Sequence, residues 1–251
     1  MKNILITSDK YSFCIEGFQT LCARHWKDPS LEFTVLGFAE PRCRLRPNFH
    51  FRSLGTHYND ATPWAQALLP YFEELDDECF FLCFEDHFLV GDVNLDLVVK
   101  AHNIMRKDKR VGKVRLLPHY NAHNVFGGVY DNDFNYYSAR TNIISTTSLR
   151  PSIWRRDVFI KLLSNPLGVG NPHEFEVHNN THFELDTVLL MPNGNHPVYP
   201  DFDAFRSGAI NPLVLGDVTS VSPFGGCVLP LSSADQEVYK ETARQWEARK
   251  K

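Results

Sequence analysis

The sequence of 251 residues lacks the short motifs that mark several large classes of protein. It has neither the GxGxxG pattern of dinucleotide-binding folds nor the GxxxxGK[ST] loop of P-loop enzymes, which argues against both classes. No apolar run approaches the roughly 20 residues that span a bilayer, and the apolar stretch near the N-terminus is too short for a signal peptide. Internal repeats and low-complexity tracts are also absent.

Cysteine pairing and a strong net charge are missing as well. The six cysteines are scattered without a CxxC pair, which predicts reduced, mostly buried thiols and a cytoplasmic compartment. The 26 basic and 30 acidic side chains give a net charge of −4, which argues against a general coat for nucleic acid or membrane surfaces. An apolar content of 43% is that of an ordinary globular protein, so one domain over residues 1–251 is expected.

The hydrophobic pattern predicts an α/β domain. Residues 4–6, 33–38 and 79–84 have the pattern of buried strands, and helical patterns lie between them. This order favours right-handed crossovers and a mainly parallel, mixed sheet flanked by helices. Further strands are predicted at 49–54, 113–117, 143–147, 187–190 and 197–199, and further helices at 64–75, 95–105, 154–163 and 233–249, the last one starting with a Ser233–Gln236 capping box.

Two of the predicted strands end in polar clusters. Thr7, Ser8, Asp9 and Lys10 follow the first strand, and Glu85, Asp86 and His87 follow the strand at 79–84. Ligands of open parallel sheets bind beyond the carboxyl ends of the strands, so both clusters are candidates for a site. Adjacent carboxylates at the end of a buried strand are costly without a cation, and a hard cation that holds a diphosphate would fit there. The simpler alternative is a solvated strand end.

Five segments, taken in their order, resemble small bacterial and viral glycosyltransferases of the GT-A fold. They are residues 4–11 (ILITSDKY), 63–75, 80–88 (FFLCFEDHF), 148–156 (SLRPSIWRR) and 171–176 (NPHEFE). The resemblance covers roughly residues 3–200. It implies a single GT-A-like domain in which residues 1–117 bind a nucleotide sugar and residues 118–200 form the acceptor side. Residues 201–251 would be a C-terminal extension with a helix.

The resemblance also implies roles for particular residues. The donor nucleotide would contact Thr7, Ser8, Asp9, Lys10, Trp64 and Glu85. Asp86 and His87 would hold a divalent cation, Mg²⁺ or Mn²⁺, at the place of the family's Asp-x-Asp motif, although this chain has Glu-Asp-His there. Arg150, Trp154 and Arg155 would lie on the acceptor side.

The pair Glu174 and Glu176 resembles the place of the general base in the inverting members of this family, so the resemblance implies a base at one of the two. Such a base takes the proton of the acceptor hydroxyl as the oxygen attacks the anomeric carbon. Two helical residues that are two apart point about 200° from each other, so only one of these carboxylates should face the donor. We favour Glu174, which lies nearer the Gly/Pro-rich connection. A rival interpretation takes Glu174, His178, His182 and Glu184 as a zinc site, but HExxH is absent.

The sequence therefore predicts a glycosyltransferase that moves a hexose or pentose from a nucleotide diphosphate sugar to an acceptor hydroxyl. The acceptor would be a surface glycan precursor or a modified base in viral DNA. A non-catalytic nucleotide- or carbohydrate-binding protein on the same fold is the alternative, because a fold does not fix a function. The sugar, the nucleotide, the acceptor and the oligomeric state stay open.

Overall fold

The computed structural model describes residues 1–55, 63–117, 126–138, 147–167, 170–179, 187–193, 197–206, 209–211, 220–221 and 229–249. The helices in these ranges are α1 (Cys14–His25), α2 (Trp64–Glu74), α3 (Leu95–Lys107), α4 (Arg156–Leu163), α5 (Pro172–His178) and α6 (Ser233–Arg249). The strands are β1 (Lys2–Ile6), β2 (Phe33–Gly37), β3 (Phe49–Ser53), β4 (Cys79–Phe84), β5 (His87–Leu89), β6 (Val111–Arg115), β7 (Phe126–Val129), β8 (Phe134–Ser138), β9 (Ser152–Arg155), β10 (Val188–Pro192), β11 (Asp201–Asp203), β12 (Phe205–Arg206), β13 (Ala209–Ile210), β14 (Ser220–Val221) and β15 (Leu229–Pro230).

Nine of these strands form one mixed sheet in the order β3-β2-β1-β4-β9-β6-β10-β8-β7. Strands β9 and β8 run against the other seven. The predicted α/β class, with a mostly parallel mixed sheet and flanking helices, is confirmed. No helix in the described ranges has the length and apolar composition needed to cross a membrane.

Helices cover both faces of the sheet, and each central strand supplies side chains to both layers. In β1, Leu5 packs in the cluster that includes α1 and α3, whereas Ile4 and Ile6 pack in the cluster that includes α2, α4 and α5. This alternation follows from the two-residue period of a strand. Burial of each such aliphatic or aromatic side chain contributes about 1.5–3 kcal/mol, which accounts for the apolar composition of β4 on both of its faces.

Three predicted elements are wrong in detail. The predicted helix at 154–163 begins only at Arg156, because Trp154 and Arg155 belong to β9 and pair with β4 and β6. Residues 197–199 form no strand, and the backbone amides of Val198 and Tyr199 both donate to the Leu116 carbonyl. The start of α6 is capped one residue early, since Ser232 Oγ accepts from the Asp235 amide. The predicted strand at 143–147 lies largely outside the described residues.

The carboxyl ends of β1, β4 and β6 meet at one edge of the sheet, and the antiparallel β9 begins at the same edge. A two-stranded sheet of β5 and β11 adjoins this edge, with Asp203 opposite His87 in its register. The amide of Ala204 donates to the carbonyl of Asp86 at 2.8 Å, which fixes the β11 segment to the end of β4. Segments far apart in the chain thus converge on one small region.

Candidate active site

A cleft with two compartments lies at this edge. The first, the strand-end compartment, has a volume of about 380 Å³ and is lined by Ile6, Thr7, Ser8, Asp9, Lys10, Phe38, Leu54, Trp64, Phe84, Asn171 and Pro172. The second, the acidic compartment, has a volume of about 540 Å³ and is lined by Tyr11, Phe84, Asp86, His87, Ser148, Leu149, Arg150, Asn171, Pro172, His173, Glu176, Asp203 and Phe205. Phe84, Asn171 and Pro172 border both, so the two compartments are neighbours.

Five of the residues predicted to bind the nucleotide lie together in the strand-end compartment. They are Thr7, Ser8, Asp9, Lys10 and Trp64. The Trp64 ring stacks on the Phe84 ring with 6.4 Å between the ring centroids. An aromatic wall beside a polar turn is suited to a ligand that is flat at one end and hydroxylated at the other.

Glu85, the sixth of these residues, contacts neither compartment. Its side chain is buried and accepts hydrogen bonds from the Ser8 amide at 2.8 Å and from Ser8 Oγ at 3.0 Å. The prediction that Glu85 contacts the donor is corrected accordingly: its carboxylate holds the turn that follows β1. Burial raises the pKa of Glu85 to about 7, although both bonds from Ser8 oppose this.

A second acidic pair, Asp201 and Asp203, lies at the acidic compartment, where Asp203 lines the wall and Asp201 is buried behind it, and the sequence patterns did not predict the two as a metal-type pair. His87, Asp201 and Asp203 place possible ligand atoms within 4.8 Å of one another. Asp86 borders the compartment but is not one of these three. Asp201-Phe202-Asp203 is itself an Asp-x-Asp sequence, and in strand β11 its two acids share one face. That spacing was a signal in the sequence, but its position beside β5 was not.

Arg150 pairs with both acids of β11. Its Nη1 lies 3.1 Å from Asp201 Oδ2, and its two terminal nitrogens contact the two carboxylate oxygens of Asp203. The Arg150 side chain is 13% exposed and that of Asp201 is 0% exposed, so the pair lies in a region of low dielectric constant. Arg150, predicted on the acceptor side, therefore lies within the acidic compartment as the counter-ion of β11.

The pKa values around Arg150 follow from burial and from the surplus of acids. Burial raises the pKa of Asp201 to about 7, against the effect of Arg150. Burial and the neighbouring Glu85 raise the pKa of Asp86 well above its usual range. Burial and the nearby guanidinium groups of Arg150 and Arg115 lower the pKa of His87, so its imidazole is neutral near pH 7.

A divalent cation fits these residues by type but not by arrangement. One neutral imidazole and two carboxylates are suitable ligands for Mn²⁺ or Mg²⁺. The carboxylates of Asp201 and Asp203, however, already hold the guanidinium of Arg150. A cation could bind all three groups only if the ion pair between Arg150 and the two aspartates were broken. The cation site expected at Asp86 and His87 is also different in the structure, because His87 is grouped with Asp201 and Asp203 and not with Asp86.

The structure separates the two candidate bases on α5. Glu176 borders the acidic compartment, and its Oε1 accepts a hydrogen bond from the Leu149 amide at 2.6 Å. Glu174 does not border it: the carboxylate lies so close to Gly170 that a Cβ there would be 2.0 Å from Glu174 Oε2. Asn171 caps α5, accepting from the Glu174 amide at 3.0 Å. Glu174 thus belongs to the start of α5, where a carboxylate is favourable.

Two residues predicted on the acceptor side lie in the interior. Trp154 is 0% exposed in the middle of the sheet, paired with Phe80 and Lys113 in the register of β9. Arg155 is buried and donates to the carbonyls of Met105, Val111 and Asp108. The prediction that they hold an acceptor is corrected, because neither side chain reaches the cleft. Of the alternative zinc site, His182 and Glu184 lie outside the described residues.

Comparison with known proteins yields similarity to solved structures only. No protein-family model matches the chain, and no curated protein matches it. Residues 1–349 of S. aureus TarS match with 13% identity and a TM-score of 0.46, over 79% of this chain and 59% of that one. The galactosyltransferase LgtC, in complex with donor and acceptor sugar analogues, matches with 14% identity and a TM-score of 0.44, over 73% and 70% of the two chains.

A third structure is the mannosyltransferase PcManGT from Pyrobaculum calidifontis, in complex with GDP-Man and Mn²⁺. It matches with 14% identity and a TM-score of 0.42, over 69% of this chain and 50% of that one. These similarities are distant, and this chain spans less than two thirds of TarS 1–349. The assignment of a function therefore depends on the cleft itself.

Proposed function

We propose that this chain transfers a sugar from a nucleotide diphosphate sugar to the hydroxyl group of an acceptor. The observation that carries the proposal is the pair of neighbouring compartments at the carboxyl edge of the sheet. One is lined by aromatic rings and a polar turn, and the other by carboxylates and a guanidinium group. Both volumes fall in the range of about 300–1,000 Å³ that small-molecule sites have.

The strand-end compartment suits the nucleoside. Trp64 and Phe38 offer flat apolar surfaces for a base, and the turn from Thr7 to Lys10 offers hydroxyl, carboxylate and ammonium groups for the ribose and the first phosphate. The hydrogen bonds from Ser8 to Glu85 hold this turn in place before the ligand arrives. A preformed turn reduces the entropy cost of binding.

The acidic compartment suits the sugar and the acceptor. In a direct displacement, the acceptor oxygen forms a bond to the anomeric carbon while the bond from that carbon to the diphosphate oxygen breaks. Glu176 is the residue we assign as the base that removes the hydroxyl proton, because its carboxylate borders this compartment whereas that of Glu174 is turned to Gly170. Asp86 also borders this compartment, and burial and the neighbouring Glu85 raise its pKa, which favours its protonated form.

The proposal leaves the acceptor as a hydroxyl compound of unspecified class. A glycan precursor and a modified nucleic-acid base stay predictions from the sequence. The leaving diphosphate requires positive charge nearby, and Arg150 is the cationic side chain that borders the acidic compartment among the described residues. The dependence on Mg²⁺ or Mn²⁺ expected from the sequence is not part of this proposal, because Asp201 and Asp203 already hold the guanidinium of Arg150.

A thermal-shift series tests the donor part of the proposal. Sugars activated with UDP, GDP, CDP and dTDP are added separately, each with and without MnCl₂. A donor at 100 times its Kd stabilises the folded chain by about 2.7 kcal/mol, which for a chain of this size raises Tm by about 5–10 °C. Free sugars are the control. No shift with any of the four nucleotides would refute the proposed function.

A further inference from the structure

The guanidinium of Arg150 lies where a divalent cation would have to bind. The set of His87, Asp201 and Asp203 has the composition of a metal site, with His87 Nε2 and Asp203 Oδ1 only 3.7 Å apart. Arg150 bridges the two carboxylates of that set and contacts both oxygens of Asp203. A planar, bidentate contact of this kind is among the strongest that an arginine makes.

Arg150 is held in this position by the segment of residues 147–150. Lys113 Nζ donates to the Ser148 carbonyl, and the Leu149 amide donates to Glu176 Oε1 at 2.6 Å. Thr147 Oγ1 donates to the Glu176 carbonyl at 2.6 Å. After Arg150 and Pro151, the chain enters β9 in the middle of the sheet. The backbone on both sides of Arg150 is thus fixed, so the guanidinium cannot leave by a movement of its loop without loss of these contacts.

Displacement of the guanidinium is also costly in electrostatic terms. A dication bound to Asp201 and Asp203 would take both carboxylates from Arg150. The guanidinium, whose side chain is only 13% exposed, would then lie without them next to the double positive charge of the metal ion. A partly buried charge that loses its partners is strongly destabilised, because the desolvation of the charge is no longer compensated. The two cations exclude each other because they compete for the same carboxylate oxygens.

We infer that Arg150 is a built-in cation that replaces the divalent metal in the His87–Asp201–Asp203 set, so that nucleotide binding in the cleft needs no metal. The statement that nucleotide binding needs no metal rests on the proposed function, whereas the statement that Arg150 replaces the metal does not. Arg150 thus binds the acids of β11 rather than an acceptor. Its side chain is the reason that the three potential metal ligands bind no metal.

The experiment measures Mn²⁺ binding without any nucleotide, by the loss of the electron paramagnetic resonance signal of free Mn²⁺. Four proteins are compared: the unaltered chain, Arg150→Met, Arg150→Lys, and the double variant Arg150→Met with Asp203→Asn. Methionine keeps most of the side-chain volume and removes the charge. Circular dichroism confirms that each variant is folded.

The unaltered chain is expected to bind Mn²⁺ at least tenfold more weakly than Arg150→Met, which should bind one ion. The double variant should lose that gain, and Arg150→Lys should stay close to the unaltered chain because it retains a cation. Tight binding of one Mn²⁺ by the unaltered chain would overturn the inference. So would equally weak binding by all four proteins, because the ligand set would then hold no metal even without Arg150.

A second measurement uses only the unaltered chain, in case Arg150→Met does not fold. The affinity for the nucleotide that gives the largest thermal shift is measured by calorimetry in EDTA and in MnCl₂. Affinities that agree within twofold support the inference, and a tenfold loss in EDTA overturns it. If no nucleotide binds under either condition, the proposed function fails, while Mn²⁺ binding by the unaltered chain and by Arg150→Lys still tests the role of Arg150: weak binding by both supports it, and tight binding of one ion by the unaltered chain overturns it.

Discussion

The change Glu85→Gln should make the folded chain more stable at neutral pH. Glu85 is 2% exposed and has a pKa raised to about 7 by burial, against a usual value of 4.5. Between these two values the folded chain keeps a proton that the unfolded chain releases. Stability therefore falls as the pH rises through this window, and above pH 7 the loss is complete.

The magnitude follows from the two pKa values. The difference between about 7 and 4.5, at 1.36 kcal/mol for each pH unit, amounts to about 3 kcal/mol at most. Glutamine carries no charge, and its carbonyl oxygen can still accept from the Ser8 amide and hydroxyl. Its amide group needs a new partner, which offsets about 1–2 kcal/mol of the gain. A net increase of about 1–2 kcal/mol is expected at pH 8.

Urea unfolding of both proteins at pH 5, 6, 7 and 8 measures this difference. The two unfolding free energies should diverge as the pH rises, with the variant the more stable at pH 8. Asp201 also has a pKa raised to about 7 and contributes to the pH dependence of both proteins, so it largely cancels in their difference. That difference reports Glu85 together with Asp86, whose pKa Glu85 raises, and both effects favour the variant as the pH rises. The exposed change Glu73→Gln is the control. A variant that is less stable than the unaltered chain by the same amount at every pH would refute the reasoning.

Three further variants probe other parts of the account. Arg155→Met removes two buried hydrogen bonds and one part-buried hydrogen bond to carbonyls and should lower the unfolding free energy by about 3 kcal/mol, with the KM for acceptor unchanged at a temperature where the protein is folded. A rise in that KM without a loss of stability would show that Arg155 contacts the acceptor. Gly37→Ala places a Cβ 2.6 Å from Thr7 Cγ2, so Thr7 must shift and the nucleotide affinity measured by calorimetry should fall by about tenfold. An unchanged affinity would show that Thr7 does not contact the nucleotide. Trp64→Leu removes the ring that stacks on Phe84 and should weaken nucleotide binding by about 1 kcal/mol; an affinity within twofold of the original would place the base elsewhere.

The first half of the fold could be predicted from local patterns. Strands β1, β2 and β4 are short apolar runs, and the helices between them show three-to-four spacing, so the parallel core follows from sequence. Strand β9 could not be predicted in this way. It is buried on both faces and runs directly into α4, and a short apolar run has the same composition in a strand and in a buried helix.

The candidate site likewise has one part that local sequence patterns predict and one part that depends on contacts between distant segments. Thr7 to Lys10 follow directly from the end of β1, because a parallel strand presents its carboxyl end to the ligand. Asp201 and Asp203 come to the site only through the pairing of β11 with β5, which lie more than a hundred residues apart. The choice between Glu174 and Glu176 likewise depends on how α5 packs against residues 147–150, and periodicity shows only that the two carboxylates diverge.

The most direct test of the central claim is the release of nucleoside diphosphate from the preferred donor, with water as the acceptor, by Glu176→Gln and Glu174→Gln. General-base catalysis typically contributes about 10²–10⁴ in rate. The account predicts that Glu176→Gln slows release by that order at an unchanged donor Kd, while Glu174→Gln stays within tenfold of the original rate. The account would be contradicted if Glu174→Gln slowed the release and Glu176→Gln did not, or if both variants released the nucleoside diphosphate at the rate of the unaltered chain.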